Sequence, residues 1–197
     1  MKKYKIAILV KTSINFDGRV ISQIDSLTRN FNNFNFRVFL LPDAPYDISF
    51  DDNCDVCKIK LFTKKLPPTT FFKFFKMIEY GLRSFYLIRK FNPQILHVHD
   101  DTSFLGGFLY KLFYPKKHVI YDDHELNYVR PQNLHDKLMF FFEKKCFAIC
   151  DTVIVANEYR KKISAVVYKR CNIEVYENLF YKRKSLKKFN PNLVKLL

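Results

Sequence analysis

Tryptophan is missing from this chain, and its 197 residues include only four glycines and three methionines. No apolar stretch approaches the roughly 20 residues that a membrane-spanning helix needs. No apolar N-terminal segment ends in an Ala-x-Ala-type cleavage site, which argues against a secretory signal. An intracellular chain, soluble or peripheral to a membrane, is therefore expected. Neither internal repeats nor low-complexity segments occur, so solenoids and disordered arrays are set aside. With 34 basic residues against 19 acidic ones, a net charge of +15 invites a nucleic-acid reading. No zinc-finger, RNP or helix-turn-helix pattern accompanies the lysines, so no nucleic-acid partner is expected. Richness in Phe, Tyr, Asn, Ile and Lys is also how an AT-rich coding sequence reads, which accounts for part of the charge.

What is present suffices for one domain with a full core, since 48% of the residues are hydrophobic. The five cysteines do not form a zinc pattern. Cys54 and Cys57 make a C-x-x-C, but Cys146 and Cys150 are a C-x-x-x-C within an aromatic helical run beside Phe147 and Ile149. A structural zinc site commonly uses two paired spacings with short flanking turns. Buried, reduced thiols are the expectation.

Hydrophobic periodicity alternates along the chain. Strand-like runs are Tyr4–Val10, Phe36–Leu41, Val56–Leu61, Ile95–His99, His118–Asp122, Thr152–Ala156 and Ile173–Tyr176. Helical patterns cover Arg19–Asn30, with Val20, Ile24 and Leu27 on one face, and a long segment from Pro67-Pro68-Thr69-Thr70 to Phe91, stopped by Asn92-Pro93. Further helices run from a cap at Asp101 or Thr102 to Phe113, from Leu134 to Cys150, and onward from Glu158. This repetition predicts an α/β domain with a parallel sheet of about six to seven strands and helices on both faces.

In such sheets ligands bind outside the carboxyl ends of the strands. Four polar clusters fall there: Asn15-Phe16-Asp17-Gly18-Arg19, His97-Val98-His99-Asp100-Asp101, Asp122-Asp123-His124-Glu125 and Ala156-Asn157-Glu158. Each could be a capping loop, because Asp and Asn are preferred helix caps. Their convergence on one sheet edge points to an active-site rim.

"KIAILV…FDGRVISQIDSLTRN…FRVFLL", "PQILHVHD", "HVIYDDHEL" and "CDTVIVANEYRKKI…IEVYENL" together resemble the N-terminal half of family 4 glycosyltransferases of the GT-B fold, over roughly residues 4 to 180. The Asp-x-Arg-Val run Asp17–Val20 and the Tyr-Asp-x-His-Glu run Tyr121–Glu125 carry the likeness most directly. It implies a single Rossmann-like domain over residues 1–180, a basic linker-like tail at 181–197, and a C-terminal donor-binding domain absent from the chain. The implied activity is the acceptor side of a retaining transfer from a nucleotide-sugar donor to a glycan or lipid-linked acceptor, assisted by a second subunit or the missing domain. No dedicated protein nucleophile, cofactor or divalent metal is implied. Asp17, Gly18 and Arg19 would approach the donor phosphates, although the turn has neither a G-x-G-x-x-G nor a glycine pair. The resemblance sets His124 near the transferred sugar as the catalytic residue. Glu125 would orient it or bind acceptor hydroxyls, and His99, Asp100, Asp122 and Asn157 would line the cleft.

Two other readings stand beside this one. His97-x-His99-x-Asp101 is similar to the start of the H-x-H-x-D-H motif of metallo-hydrolases, but Thr102 replaces the final His and the helical alternation does not suit that β-rich fold. A non-catalytic binding or scaffold subunit recruiting a partner to a membrane is the alternative from another class. On the long helix Phe71, Phe74, Phe75, Ile78, Leu82 and Phe85 gather on one side. Lys76, Arg83 and Lys90 gather on another, with Phe72 among them. The expected role of the helix is packing on the sheet, and Phe72, Lys76, Arg83 and Lys90 are the candidate contacts with an anionic membrane surface.

Overall fold

The computed structural model describes residues 4–11, 18–42, 50–67, 69–99, 103–123, 134–169 and 172–176. Seven strands, β1 (Tyr4–Leu9), β2 (Phe34–Leu40), β3 (Cys54–Lys58), β4 (Ile95–His99), β5 (His118–Asp123), β6 (Thr152–Val155) and β7 (Ile173–Val175), form one sheet. Five α-helices accompany them: α1 (Gly18–Asn30), α2 (Thr70–Phe91), α3 (Phe104–Phe113), α4 (Leu134–Ile149) and α5 (Glu158–Tyr168). Every strand pair is parallel, and the order is β3-β2-β1-β4-β5-β6-β7. The sheet and its strand–helix alternation are as the periodicity predicts. The direction of strand order reverses at β1, so β1 and β4 flank the switch point at which doubly wound sheets bind ligands.

The helices divide unequally between the faces. Val20 and Ile24 of α1 pack with Ile8, Val10, Phe36, Val38 and Leu40 on one face. Tyr80 and Ile88 of α2, Phe104 and Tyr110 of α3, Phe147 of α4 and Tyr168 of α5 pack against the other face, with Ala7, Leu9, Leu96, Val98, Tyr121 and Val153. The caps explain the helix limits. Thr69 Oγ1 accepts from the Phe72 amide, and Asn92, in the left-handed region, ends α2 with its amide donating to Ile88 O.

The face that α2 buries differs from the side on which the sequence gathers its bulkiest apolar residues. Met77, Tyr80, Ser84, Ile88 and Phe91 are buried, whereas Phe71, Phe75, Leu82 and Tyr86 are exposed. Small residues decide this. A Cβ on Gly81 would stand 2.5 Å from Leu105 Cδ2, and one on Gly106 would run into Ser84 Oγ. Close approach between the α2 and α3 backbones outweighs the bulk of the aromatic stripe, because packing density rather than side-chain size rewards burial.

A 3-10 turn at Phe62–Lys65 docks on α2 through Glu79. The Glu79 carboxylate accepts from the Phe62 and Thr63 amides at 2.7 and 2.8 Å, from Thr63 Oγ1 at 2.6 Å and from Arg83 Nε at 2.6 Å. Burial pushes this carboxyl up, but the four donors outweigh it and hold the pKa at about 2 instead of 4.5. Folding therefore lowers the pKa. The resulting stabilisation is present above about pH 4.5 and is lost as pH falls through about 2. Glu79→Gln should cost on the order of 2 kcal/mol at pH 7, and the gap between wild type and variant should close as urea melts are repeated toward pH 2. A gap independent of pH would show that the charge is not what matters.

Candidate functional site

The carboxyl edge of the sheet begins from a strand alternation. His97 and His99 lie two residues apart on β4, so both rings leave one face, with centroids 4.3 Å apart and planes inclined by 30°. Asp122 of β5 is registered against His99, and registered residues of parallel neighbours project to the same side. His97 Nε2 lies 3.4 Å from Asp122 Oδ2, and His99 Nδ1 lies 3.6 Å from the same oxygen. All three residues are buried, at 5%, 1% and 8% exposure for His97, His99 and Asp122. Both separations exceed the 2.7–3.2 Å typical of a hydrogen bond. His97 Nε2 is sealed from solvent and makes no hydrogen bond among the described residues.

Asp123, the next residue of β5, is buried as well and projects to the opposite face by strand alternation. Tyr121, on that same opposite face, meets Phe147 of α4 with ring centroids 5.6 Å apart. The run Asp122–Asp123 is thus divided between the two sides of the sheet, and only Asp122 joins the histidines.

The other sequence-derived candidates fall as follows. Gly18 opens α1, where nothing among the described residues lies within 4 Å of where a Cβ would stand, and Arg19 next to it is half-buried. Asn157 is the N-cap of α5, its Oδ1 accepting from the Arg160 amide at 2.8 Å, so the capping alternative raised by the sequence describes its side-chain oxygen. Asp17, Asp100, His124 and Glu125 lie outside the described residues. Of the membrane candidates, Phe72 is half-buried and Lys90 is exposed. Lys76 Nζ donates to Leu66 O at 2.7 Å. Arg83 pairs with Glu79 at 2.6 Å and lies over the Phe62 ring at 4.1 Å.

From the sequence, His99 and Asp122 read as separate cleft contacts, and His97 and His99 group with Asp101. The spatial partner of the two histidines is Asp122, more than twenty residues on. The available signal is β-strand alternation combined with strand register.

The opposite, amino edge of the sheet is structural. Asp151 receives Lys111 Nζ at 2.7 Å on both carboxylate oxygens and the Val119 amide at 2.8 Å. Burial raises its pKa, but these partners, with Lys111 foremost, hold it below the usual carboxylate value. The four cysteines among the described residues are free thiols. Cys54 packs in the cluster of one sheet face and Cys57 in that of the other, so the C-x-x-C cannot converge on a metal. Burial, then the charges of Asp55, Asp51 and Asp25, push the Cys54 thiol up to about 12. Cys146, fully enclosed, is likewise raised by burial.

No protein-family model and no curated protein sequence matches the chain. Solved structures do. Sucrose-phosphate synthase from Thermosynechococcus elongatus superposes with a TM-score of 0.67 at 14% identity, covering 89% of this chain and 48% of that one. UGT2 of Phytolacca americana, complexed with UDP-2-fluoro-glucose and pterostilbene, gives 0.64 at 10% identity over 94% of this chain and 56% of its own. The UDP-GlcNAc 2-epimerase of Neisseria meningitidis, bound to UDP-GlcNAc, gives 0.58 at 14% identity over 87% and 45%. The fold is therefore that of a Rossmann-like domain of GT-B proteins, and the chain spans about half the length of these neighbours. No helix among the described residues is long and apolar enough to cross a membrane.

Proposed function

We propose that this chain is the acceptor-side half of a retaining family 4 glycosyltransferase. The donor-binding domain would be supplied by further polypeptide or by a second subunit. Residues 1–180 form the domain in this reading and 181–197 a basic linker. The observation that carries it is the strand order: the switch point between β1 and β4 puts the start of α1 on the same edge as His99 and Asp122. The neighbours that share this fold include proteins whose structures hold UDP-sugars. Backbone N–H groups at the start of α1 would meet donor phosphates, with Arg19 adding charge. His124 and Glu125, directly after β5, would meet the reacting sugar. The test is nucleotide-sugar hydrolysis and transfer by the purified 197-residue chain. It should be inactive alone and active once joined to a donor-binding domain, and turnover by the chain alone would overturn the division of labour.

A second reading, a subunit that brings a partner to a membrane, draws on α2. Phe71, Phe75, Leu82 and Tyr86 form an exposed apolar stripe, and Lys73, Arg89 and Lys90 are exposed on the same helix. With Lys76 and Arg83 engaged in internal contacts, the attachment would rest on these three basic residues and the aromatic stripe. At about 1 kcal/mol for each basic residue near an anionic surface, binding should be salt-sensitive. The chain should sediment with anionic but not neutral liposomes at low salt and remain in the supernatant at high salt. Equal recovery from both vesicle types at low salt would remove this reading.

A further inference from the structure

We propose that His97, His99 and Asp122 bind a divalent transition-metal ion, for which zinc is the best-fitting candidate. This departs from the expectation, drawn from the family resemblance, that no metal is involved. It does not depend on the glycosyltransferase reading.

Two imidazole nitrogens converge on one carboxylate oxygen at 3.4 and 3.6 Å. Those separations are too long for hydrogen bonds. They are close to the edge of a tetrahedron of ligands: bonds of about 2.0–2.1 Å to zinc set neighbouring N and O ligands about 3.3 Å apart. All three ligand atoms lie within 4.8 Å of one another, so a modest inward shift of the histidine pair completes the set. Here the His97 Nε2 atom, on a side chain 6% exposed, is aimed at the carboxylate and makes no hydrogen bond among the described residues.

The chemistry of the donors agrees. Two neutral imidazoles and one carboxylate suit borderline divalent ions such as zinc or iron(II) rather than magnesium or calcium, which prefer all-oxygen shells. Bound zinc would add a double positive charge beside the Asp122 carboxylate. Three protein ligands leave at least one position for water or for a hydroxyl of a bound molecule. That opening would lie at the carboxyl edge, next to the switch point. His99 and Asp122 are thereby reassigned from direct acceptor contacts to metal ligands.

The test uses the intact chain, stripped with a chelator, dialysed and titrated with Zn²⁺ in a calorimeter, then with Co²⁺ under a visible spectrometer. One ion per chain should bind, and Co²⁺ should show the intense d–d absorption of a tetrahedral site. At a hundredfold excess over Kd the melting temperature should rise by about 5–10 °C. Asp122→Asn keeps the side-chain shape and should weaken Zn²⁺ binding at least about 100-fold, more than the loss of an outer-shell partner. His97→Gln should do the same. Circular dichroism of the metal-free variants shows whether they fold. If His97→Gln does not, Asp122→Asn and the Co²⁺ spectrum decide alone. Absence of stoichiometric binding, or binding that Asp122→Asn leaves unchanged, would overturn the proposal.

Discussion

Gly107→Val should lower the stability of the domain by at least about 3 kcal/mol, the upper part of the range for overpacking a tight core. Gly107 lies on α3 where the helix crosses β4, and a Cβ there would stand 2.6 Å from Val98 Cγ2 and 3.4 Å from Cγ1. Val98 is buried and β-branched, so its side chain has almost no alternative rotamer by which to move away. The helix would have to lift from the sheet. That movement would also separate the crossings at Gly106, which meets Leu9 and Ser84, and at Gly81, which meets Leu105. Against a typical total of 5–15 kcal/mol, such a loss should pull the urea midpoint down by about 1–2 M. Gly18→Ala is the control: its added methyl meets nothing within 4 Å among the described residues, and its midpoint should not fall. Equal midpoints for Gly107→Val and Gly18→Ala would mean that the glycine crossing is not what sets how closely α3 packs on β4.

That crossing also marks where the sequence stops being readable. Strands such as Ile95–His99 and Thr152–Val155 are legible because short β-branched runs stand between polar or proline-containing stretches. The α2 limits are legible because Thr69 and Asn92 are good caps. Which face of α2 is buried is not legible. Its wheel displays phenylalanines, but the outcome depends on glycines of α3 some twenty-five residues later. The 3-10 turn at Phe62–Lys65 is equally hidden, since its anchor, Glu79, lies 16 positions beyond Thr63. The site is half legible for the same reason. Alternation puts His97 and His99 on one face, whereas the addition of Asp122 requires the register of β4 against β5. Local periodicity reveals elements, and pairings between distant elements reveal sites.

Those pairings bear on the residue with the largest expected effect on activity. In the assembled transferase proposed above, His124→Ala should reduce turnover by on the order of 10²–10³, the roughly 2.7–4 kcal/mol typical of removing one well-placed transition-state hydrogen-bond donor. His124 lies outside the described residues, so its assignment rests on the resemblance of Tyr121–Glu125 to family 4 and on the strand just before it. β5 ends at Asp123, at the carboxyl edge and next to Asp122, the register partner of His99. A loss confined to kcat would mean that the imidazole acts on the transition state, while a rise in KM alone would mean it only holds the sugar. Thermal melts should be unchanged, because the core at this point is supplied by Val119 and Tyr121, both fully buried. His124→Gln keeps a donor and should recover part of the rate. Full turnover with His124→Ala would leave the acidic run after β5 as loop polarity and shift attention to His97, His99 and Asp122.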